Sequence, residues 1–140
     1  MDSILLKMPV TIKAKLTEKL KEHIVGELNA GIQRAELEIE QINIEENRVI
    51  KENNLHEENP ADRQELMAIH QHFGSERQKR LSYREEALAK KEETEKLALG
   101  AEIVQGTLER QVEVKIGDNM RELMNVEVLV EDDKIIAIRS

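Results

Sequence analysis

The sequence predicts an α+β fold in which a long antiparallel coiled-coil helical hairpin is inserted after the first strand of a small antiparallel β-barrel-like lobe. Two observations carry this. The heavily charged stretch from Thr17 to Leu99 is broken only at Asn53-Asn54-Leu55-His56-Glu57-Glu58-Asn59-Pro60, so it reads as two long helices folded back on each other. On both sides lie short runs that alternate apolar and polar residues, the pattern of strands with one buried face. The expected divisions are a first strand in 1–16, the hairpin in 17–99 with its turn near 53–60, and the remaining strands in 100–140.

In the first strand the even positions Met8, Val10, Ile12, Ala14 and Leu16 are apolar, whereas Thr11, Lys13 and Lys15 are polar. Pro9 lacks a ladder donor, which predicts that the strand begins there or lies at an edge. Thr17 offers a hydroxyl to cap a first helical turn, and Glu18 places negative charge at the positive end of the helix dipole.

The first helix carries a heptad seam through Val25, Leu28, Ile32, Ala35, Ile39, Ile42, Glu46 and Val49, with alternating steps of three and four. Its one charged position, Glu46, is expected to weaken pairing locally. A second apolar line, Ala30, Leu37 and Ile44, runs at heptad spacing away from that seam. A solitary hairpin would expose it, so these three residues are the candidate self-association surface; burying each aliphatic side chain would yield about 1.5–3 kcal/mol.

Asn59-Pro60-Ala61-Asp62 reads as a helix start, and Gly100 as a stop after Leu99. Each arm would be on the order of 50 Å long, at about 1.5 Å per residue. The apolar residues of the second arm, Leu66, Ile69, Phe73, Leu81, Leu88, Leu97 and Ala98, fit no unbroken heptad. A stutter is therefore expected at Gly74 and across the polar run Ser75 to Arg80, with weak pairing there. Beyond Gly100 the apolar run Ile103-Val104, the line Leu108, Val112, Val114 and Ile116, the line Met124, Val126, Val128 and Val130, and Ile135 to Ile138 predict further strands. Turns fall at Gly117-Asp118-Asn119 and Glu131-Asp132-Asp133. With the first strand this makes about five short antiparallel strands, enough for a half-closed barrel. A lobe this small is expected to draw stability from the hairpin or from another subunit.

The strand Val10-Thr11-Ile12-Lys13-Ala14-Lys15-Leu16-Thr17-Glu18, the long charged segment, and then Gly106-Thr107-Leu108-Glu109, Val112-Glu113-Val114-Lys115-Ile116-Gly117-Asp118-Asn119 and Lys134-Ile135-Ile136-Ala137-Ile138-Arg139 resemble the YlqD family of small uncharacterised bacterial proteins. The resemblance covers essentially the whole chain. It brings no established activity and no agreed functional residues, so no site carries over. Members encoded beside ribosomal and RNA-processing genes imply a setting near translation.

Composition narrows the function classes. With no cysteine there is neither a disulfide framework nor a thiolate metal site, which points to a reducing, cytoplasmic compartment. No signal peptide is evident at the start, since Ile4-Leu5-Leu6 runs straight into Lys7, and no apolar run approaches a membrane span. The net charge is −8, and the segment 100–140 alone carries −4, which argues against general nucleic-acid binding there. Phe73 and Tyr83, both in the helical stretch, leave no aromatic platform for stacking bases on the strands. His70 and His72 are two apart and face different ways on a helix, and His56-Glu57-Glu58 reads as a solvated turn rather than a metal site. No phosphate loop, nucleophile elbow or paired zinc motif occurs. No enzyme activity, metal, cofactor or small-molecule substrate is expected.

Two charged stretches remain. Glu52, Glu57, Glu58 and Asp62 form an acidic tip, the geometry of hairpin factors that reach into RNA polymerase, although a strand precedes the hairpin here. Arg77, Lys79, Arg80 and Arg84 place four cations within about two turns of a helix. They form a candidate partner-docking patch for ribosomal RNA or an acidic protein, with pairing to the Glu-rich face of the other arm or to a neighbouring subunit the favoured alternative. The expectation is a non-enzymatic homo-oligomeric interaction or scaffold protein. The alternatives are an RNA- or ribosome-associated accessory factor and an RNA-polymerase-binding factor with an acidic tip. A clamp like that of prefoldin fits less well, because there strands lie between the helices.

Overall fold

In the computed structural model, which describes residues 2–140, the chain order is β1 (Ser3–Lys15), α1 (Glu18–Glu52), α2 (Arg63–Lys96), β2 (Glu102–Lys115), α3 (Met120–Met124), β3 (Val126–Glu131) and β4 (Lys134–Arg139). It separates into two units. One holds the described residues up to His23 together with Leu97–Ser140; the other is Ile24–Lys96.

The first unit is a four-stranded mixed sheet in the order β2-β1-β3-β4. Strand β1 pairs antiparallel with β2 over its whole length and parallel with β3 over Val10 to Ala14, and β3 and β4 form an antiparallel hairpin. This corrects the expectation of five antiparallel strands in a half-closed barrel. Ile103-Val104 and the run from Leu108 belong to one strand, because Gln105, the residue passed over where Ile12 faces Gly106 and Lys13 faces Val104, is absorbed as a bulge. Met124 is helical: Asn119 caps α3 by accepting from the Arg121 and Glu122 amides, at 3.0 and 3.3 Å. The segment after Gly117 is thus a crossover, which sets β3 on the far side of β1 and makes that pairing parallel. The sheet stays open, since β2 and β4 do not pair. Its outer strands are nonetheless tied by side chains: Arg139 donates to both oxygens of Glu102, at 2.6 and 3.2 Å.

Strand β1 starts at Ser3, with Ile4 and Leu6 continuing the even-numbered line. Pro9 lies inside the strand, yet its missing donor costs no bond, because β3 pairs only from Val10 onward and β1 has a neighbour on one side alone at that point. The core is aliphatic: Met8, Val10, Ala14, Val126 and Leu129 are buried, and Leu16 is 1% exposed. Leu16 also joins the chain on the two sides of the helices, its amide donating to the Ala101 carbonyl and its carbonyl accepting from the Gly100 amide, both at 2.7 Å. Gly100 takes φ +92°, a conformation open to glycine, and α2 ends at Lys96 rather than Leu99. Thr17 caps α1 as its sequence implies, accepting from the Leu20 amide at 3.2 Å, and donates to Asp132 in the β3–β4 turn at 2.7 Å. Asp132 and Asp133 both have positive φ, as a two-residue hairpin turn of type I′ needs.

In the second unit α1 stops by a Schellman arrangement. Asn54 is left-handed at φ 51°, its amide donates to the Lys51 carbonyl, and the Leu55 amide reaches back to Ile50, both at 3.1 Å. The motif turns Leu55 inward, where it is buried. Helix α2 begins at Arg63, later than Pro60. Asn59 holds a turn of its own, its side chain accepting from the Ala61 amide at 3.0 Å, and the carbonyl that accepts the first bond from α2 belongs to Asp62. No helix is long and apolar enough to cross a membrane, among the described residues.

Candidate functional site

All eight seam positions of α1 are buried or half-buried, and Ile32, Ala35 and Glu46 are the most enclosed. The seam of α2 differs from the sequence expectation. Leu66, Ile69, Phe73, Arg77, Arg80, Arg84, Ala87, Lys91 and Thr94 are its least exposed line, whereas Leu88 is exposed, and the helix runs unbroken through Gly74. The line takes two successive steps of four, from Ile69 through Phe73 to Arg77, which is the stutter expected at Gly74, and beyond it the middle of the seam is made of arginines in place of aliphatics. Long side chains suit that position because the Cα atoms of the two helices come within 8 Å of each other at almost no point.

Glu46 is the centre of this polar seam. Its Oε1 meets His70 Nδ1 at 2.5 Å, and its Oε2 accepts from Arg77 Nη2 at 2.5 Å. Arg77 Nε donates to the side-chain oxygen of Asn43 at 2.9 Å. Further along, Arg80 donates to Glu38 at 3.2 Å and to Glu76 of its own helix at 2.6 Å, and Arg84 donates to Glu36 at 2.9 Å. Burial alone would push the Glu46 carboxyl up, but its hydrogen bonds to His70 and Arg77, with their charges, hold it below the usual carboxylate value. Glu76 is likewise lowered, by Arg80 and then Lys79. As positions rise along α1 their partners fall along α2, so the ladder fits one antiparallel register. Its chemistry is that of a lock, because an ionised carboxylate held at both oxygens has no proton to give near neutral pH.

The charge at position 46, expected to weaken pairing, thus sits among groups that satisfy it. What the residue pattern offered as a clue was the spacing of Arg77, Arg80 and Arg84, steps of three and four that continue a heptad which a search for apolar residues alone loses.

The other candidate residues are dispersed. In the docking patch, Arg77, Arg80 and Arg84 face α1 carboxylates, and Lys79, which is 68% exposed, pairs with Glu76 at 3.2 Å. Ala30, Leu37 and Ile44 lie on the outer side of α1, with Leu37 55% and Ile44 64% exposed. At the tip, Glu57 and Glu58 are exposed, Glu52 pairs with Arg48 at 3.1 Å, and Asp62 accepts from the His56 amide at 3.1 Å. Among the described residues no group of three or more His, Asp or Glu side chains is placed to hold a metal ion. Tyr83 lies over Gly31 beside an open groove of about 430 Å³ that also reaches Arg34 and Lys79.

A search of solved structures finds similarity to a crystal structure of a protein of unknown function from Synechococcus sp. WH 8102, at 26% identity with both chains covered in full and a TM-score of 0.89. No curated protein matches. The family model described as YlqD protein matches residues 4–139. With that match over nearly all of its length, the chain belongs to the YlqD family.

Proposed function

We propose that this protein is a non-enzymatic, self-associating interaction scaffold whose helix pair packs as an antiparallel coiled coil against the helix pair of another copy. The observation that carries this reading is the aliphatic line on the outer side of α1: Leu37 and Ile44 remain largely exposed while every position of the inner α1 seam is buried or half-buried. Aliphatics repeated at heptad spacing on the outside of a helix that already has a seam suit a second helical neighbour. The engaged state of Arg77, Arg80 and Arg84 supports this reading over docking to ribosomal RNA, because most of the patch already has anionic partners.

Light-scattering mass across a dilution series tests it. Wild-type protein is expected to exceed the monomer mass at high micromolar concentration, and the Leu37→Glu/Ile44→Glu variant is expected to lose that hairpin-mediated association while keeping its helical signal. A monomer mass for the wild type throughout overturns the proposal, and salt-sensitive co-sedimentation of that monomer with ribosomes would favour the RNA-associated alternative.

A further inference from the structure

The two outer strands of the sheet are unlike. Strand β4 has six residues and carries charge at both ends, Lys134 and Arg139, which blunts an edge. Strand β2 has fourteen, contains no proline, and has no strand on its outer side among the described residues. At its start Glu102 is taken by Arg139, and Gln105 forms the bulge. At its end the Lys115 amide donates to Asp118 at 2.8 Å, closing the ladder. Between these limits runs a regular edge, Thr107 to Val114, which carries Leu108 at 64% exposure and is followed by Ile116 at 90%.

An open edge of this kind is a template for an added strand. The residue order selects what that strand can be. If a second copy of β2 is added antiparallel about a two-fold axis, side chains that point to one face stay on that face, and the axis passes through a single residue. An axis at Glu109, Arg110 or Glu113 sets a charge against itself, and one at Gln111 sets Glu109 against Glu113. An axis at Leu108 or Thr107 runs the pairing into the bulge. An axis at Val112 has none of these faults. Within the regular edge it sets Arg110 against Val114 and Gln111 against Glu113, each twice, with Val112 meeting its own copy, and just past the end of that edge it brings the Lys115 side chain opposite Glu109 and Ile116 opposite Leu108. Opposite charges meet on one face, and the most exposed aliphatics of this edge are covered on the other.

We infer that β2 is the docking edge for the β2 strand of a second copy of this chain, paired antiparallel about Val112 to continue the sheet across both molecules. The inference rests on the self-association reading and gives it a second surface, independent of α1. Two distinct two-fold surfaces on one chain let copies link alternately through helix pairs and through sheets, which is how a scaffold grows beyond a dimer.

The test uses the full chain in the Leu37→Glu/Ile44→Glu background, where only the edge can hold copies together. That protein is expected to be a dimer by sedimentation. Adding Glu109→Lys, which opposes Lys115 with a second cation on each side of the axis, is expected to weaken the dimer about tenfold, and adding Lys115→Glu to that variant should restore it. Because the chain has no cysteine, single introductions report the register directly. Under oxidation Val112→Cys should link to itself, whereas Leu108→Cys and Ile116→Cys should link only when mixed. A monomer in the Leu37→Glu/Ile44→Glu background, with the wild type still associated, overturns the edge and leaves the α1 reading standing. A dimer indifferent to Glu109→Lys, or cross-linking outside this register, also overturns the edge. A monomeric wild type removes both.

Discussion

The sheet unit and the helix pair enclose different kinds of surface. Among the described residues, every buried one of the sheet unit is apolar, namely Met8, Val10, Ala14, Leu16, Val126 and Leu129, on or next to strands whose backbones satisfy one another. The helix pair encloses Ile32, Ala35, Leu55, Leu66 and Ala87, but at its middle it closes over Glu46 held by His70 and Arg77. Hydrophobic burial is non-directional, so the sheet gains adhesion from its core and geometry from its ladder. Ion pairs with hydrogen-bonding direction add little net energy but penalise every mismatched register, so the helix pair gains specificity where it lacks apolar area. The two units should therefore fail under different perturbations, and their unfolding need not be one transition.

The largest expected effect is in the sheet unit. Leu16→Ala should destabilise it by about 3 kcal/mol, through lost burial and the cavity left behind. Urea titration followed by backbone NMR signals of β1–β3 checks this. If the α1 and α2 signals shift to lower denaturant by an equal amount, the units unfold together and the contrast fails.

Next is the lock itself. Glu46→Ala leaves two cationic or polar partners without their acceptor and should cost the helix pair about 1–3 kcal/mol, read as faster amide exchange in α1 and α2 with the sheet unchanged. Glu46→Leu supplies an apolar seam residue of similar volume and should recover most of that loss. If Glu46→Leu is as damaging as Glu46→Ala, the carboxylate provides more than register.

Acid sharpens the same point. Glu46 titrates below its ordinary value of 4.5 in the folded chain, so its contribution is fully present above that pH and is lost as pH falls through the depressed folded value. Helix-pair stability should decline with acid below pH 4.5, and Glu46→Gln should flatten the decline without abolishing that part due to Glu76, which Arg80 and Lys79 also lower. Among the described residues the sheet has one comparable carboxyl, Glu102, lowered by Arg139, and its aliphatic core does not titrate.

These contrasts also show what the residue pattern could reveal. The α1 seam was legible because apolar residues marked it at every step but one, and the Thr17 cap and the Asp132-Asp133 turn are local chemistry. The α2 seam was hidden because Arg77, Arg80 and Arg84 occupy positions that a hydrophobic repeat does not score. The crossover was hidden for another reason: Gly117-Asp118-Asn119 is a good hairpin signal, and whether β3 lies beside β2 or beyond β1 depends on pairing with a strand over a hundred residues earlier, which no local pattern records. Among candidate site residues, the exposure of Leu37 and Ile44 followed from their spacing, whereas the turn role of Asp62 depends on where His56 comes to lie.

A smaller effect tests how closely the helices approach. Glycine within a helix costs about 1 kcal/mol relative to alanine, so Gly31→Ala would ordinarily stabilise α1. Here the added methyl would overlap the Tyr83 hydroxyl, which must swing aside. Gly31→Ala alone should be nearly neutral, and in a Tyr83→Phe background it should stabilise by about 1 kcal/mol, a coupling that a double-mutant cycle of urea midpoints reads directly. Equal effects in both backgrounds would place Tyr83 away from α1.

The smallest expected effect separates the centre of the ladder from its end. Arg84 and Glu36 pair at 2.9 Å, but their side chains are 39% and 51% exposed, so water and salt screen them. Arg84→Ala should cost less than about 0.5 kcal/mol, and that small loss should vanish in about 0.5 M salt. Glu46 is held on both oxygens and is 11% exposed at its side chain, so the cost of Glu46→Ala should survive the same salt. Measuring both variants at low and high salt by thermal unfolding puts the comparison on one scale. A salt-resistant loss at Arg84 as large as that at Glu46 would mean that the whole ladder, and not its enclosed centre, sets the register of the helix pair.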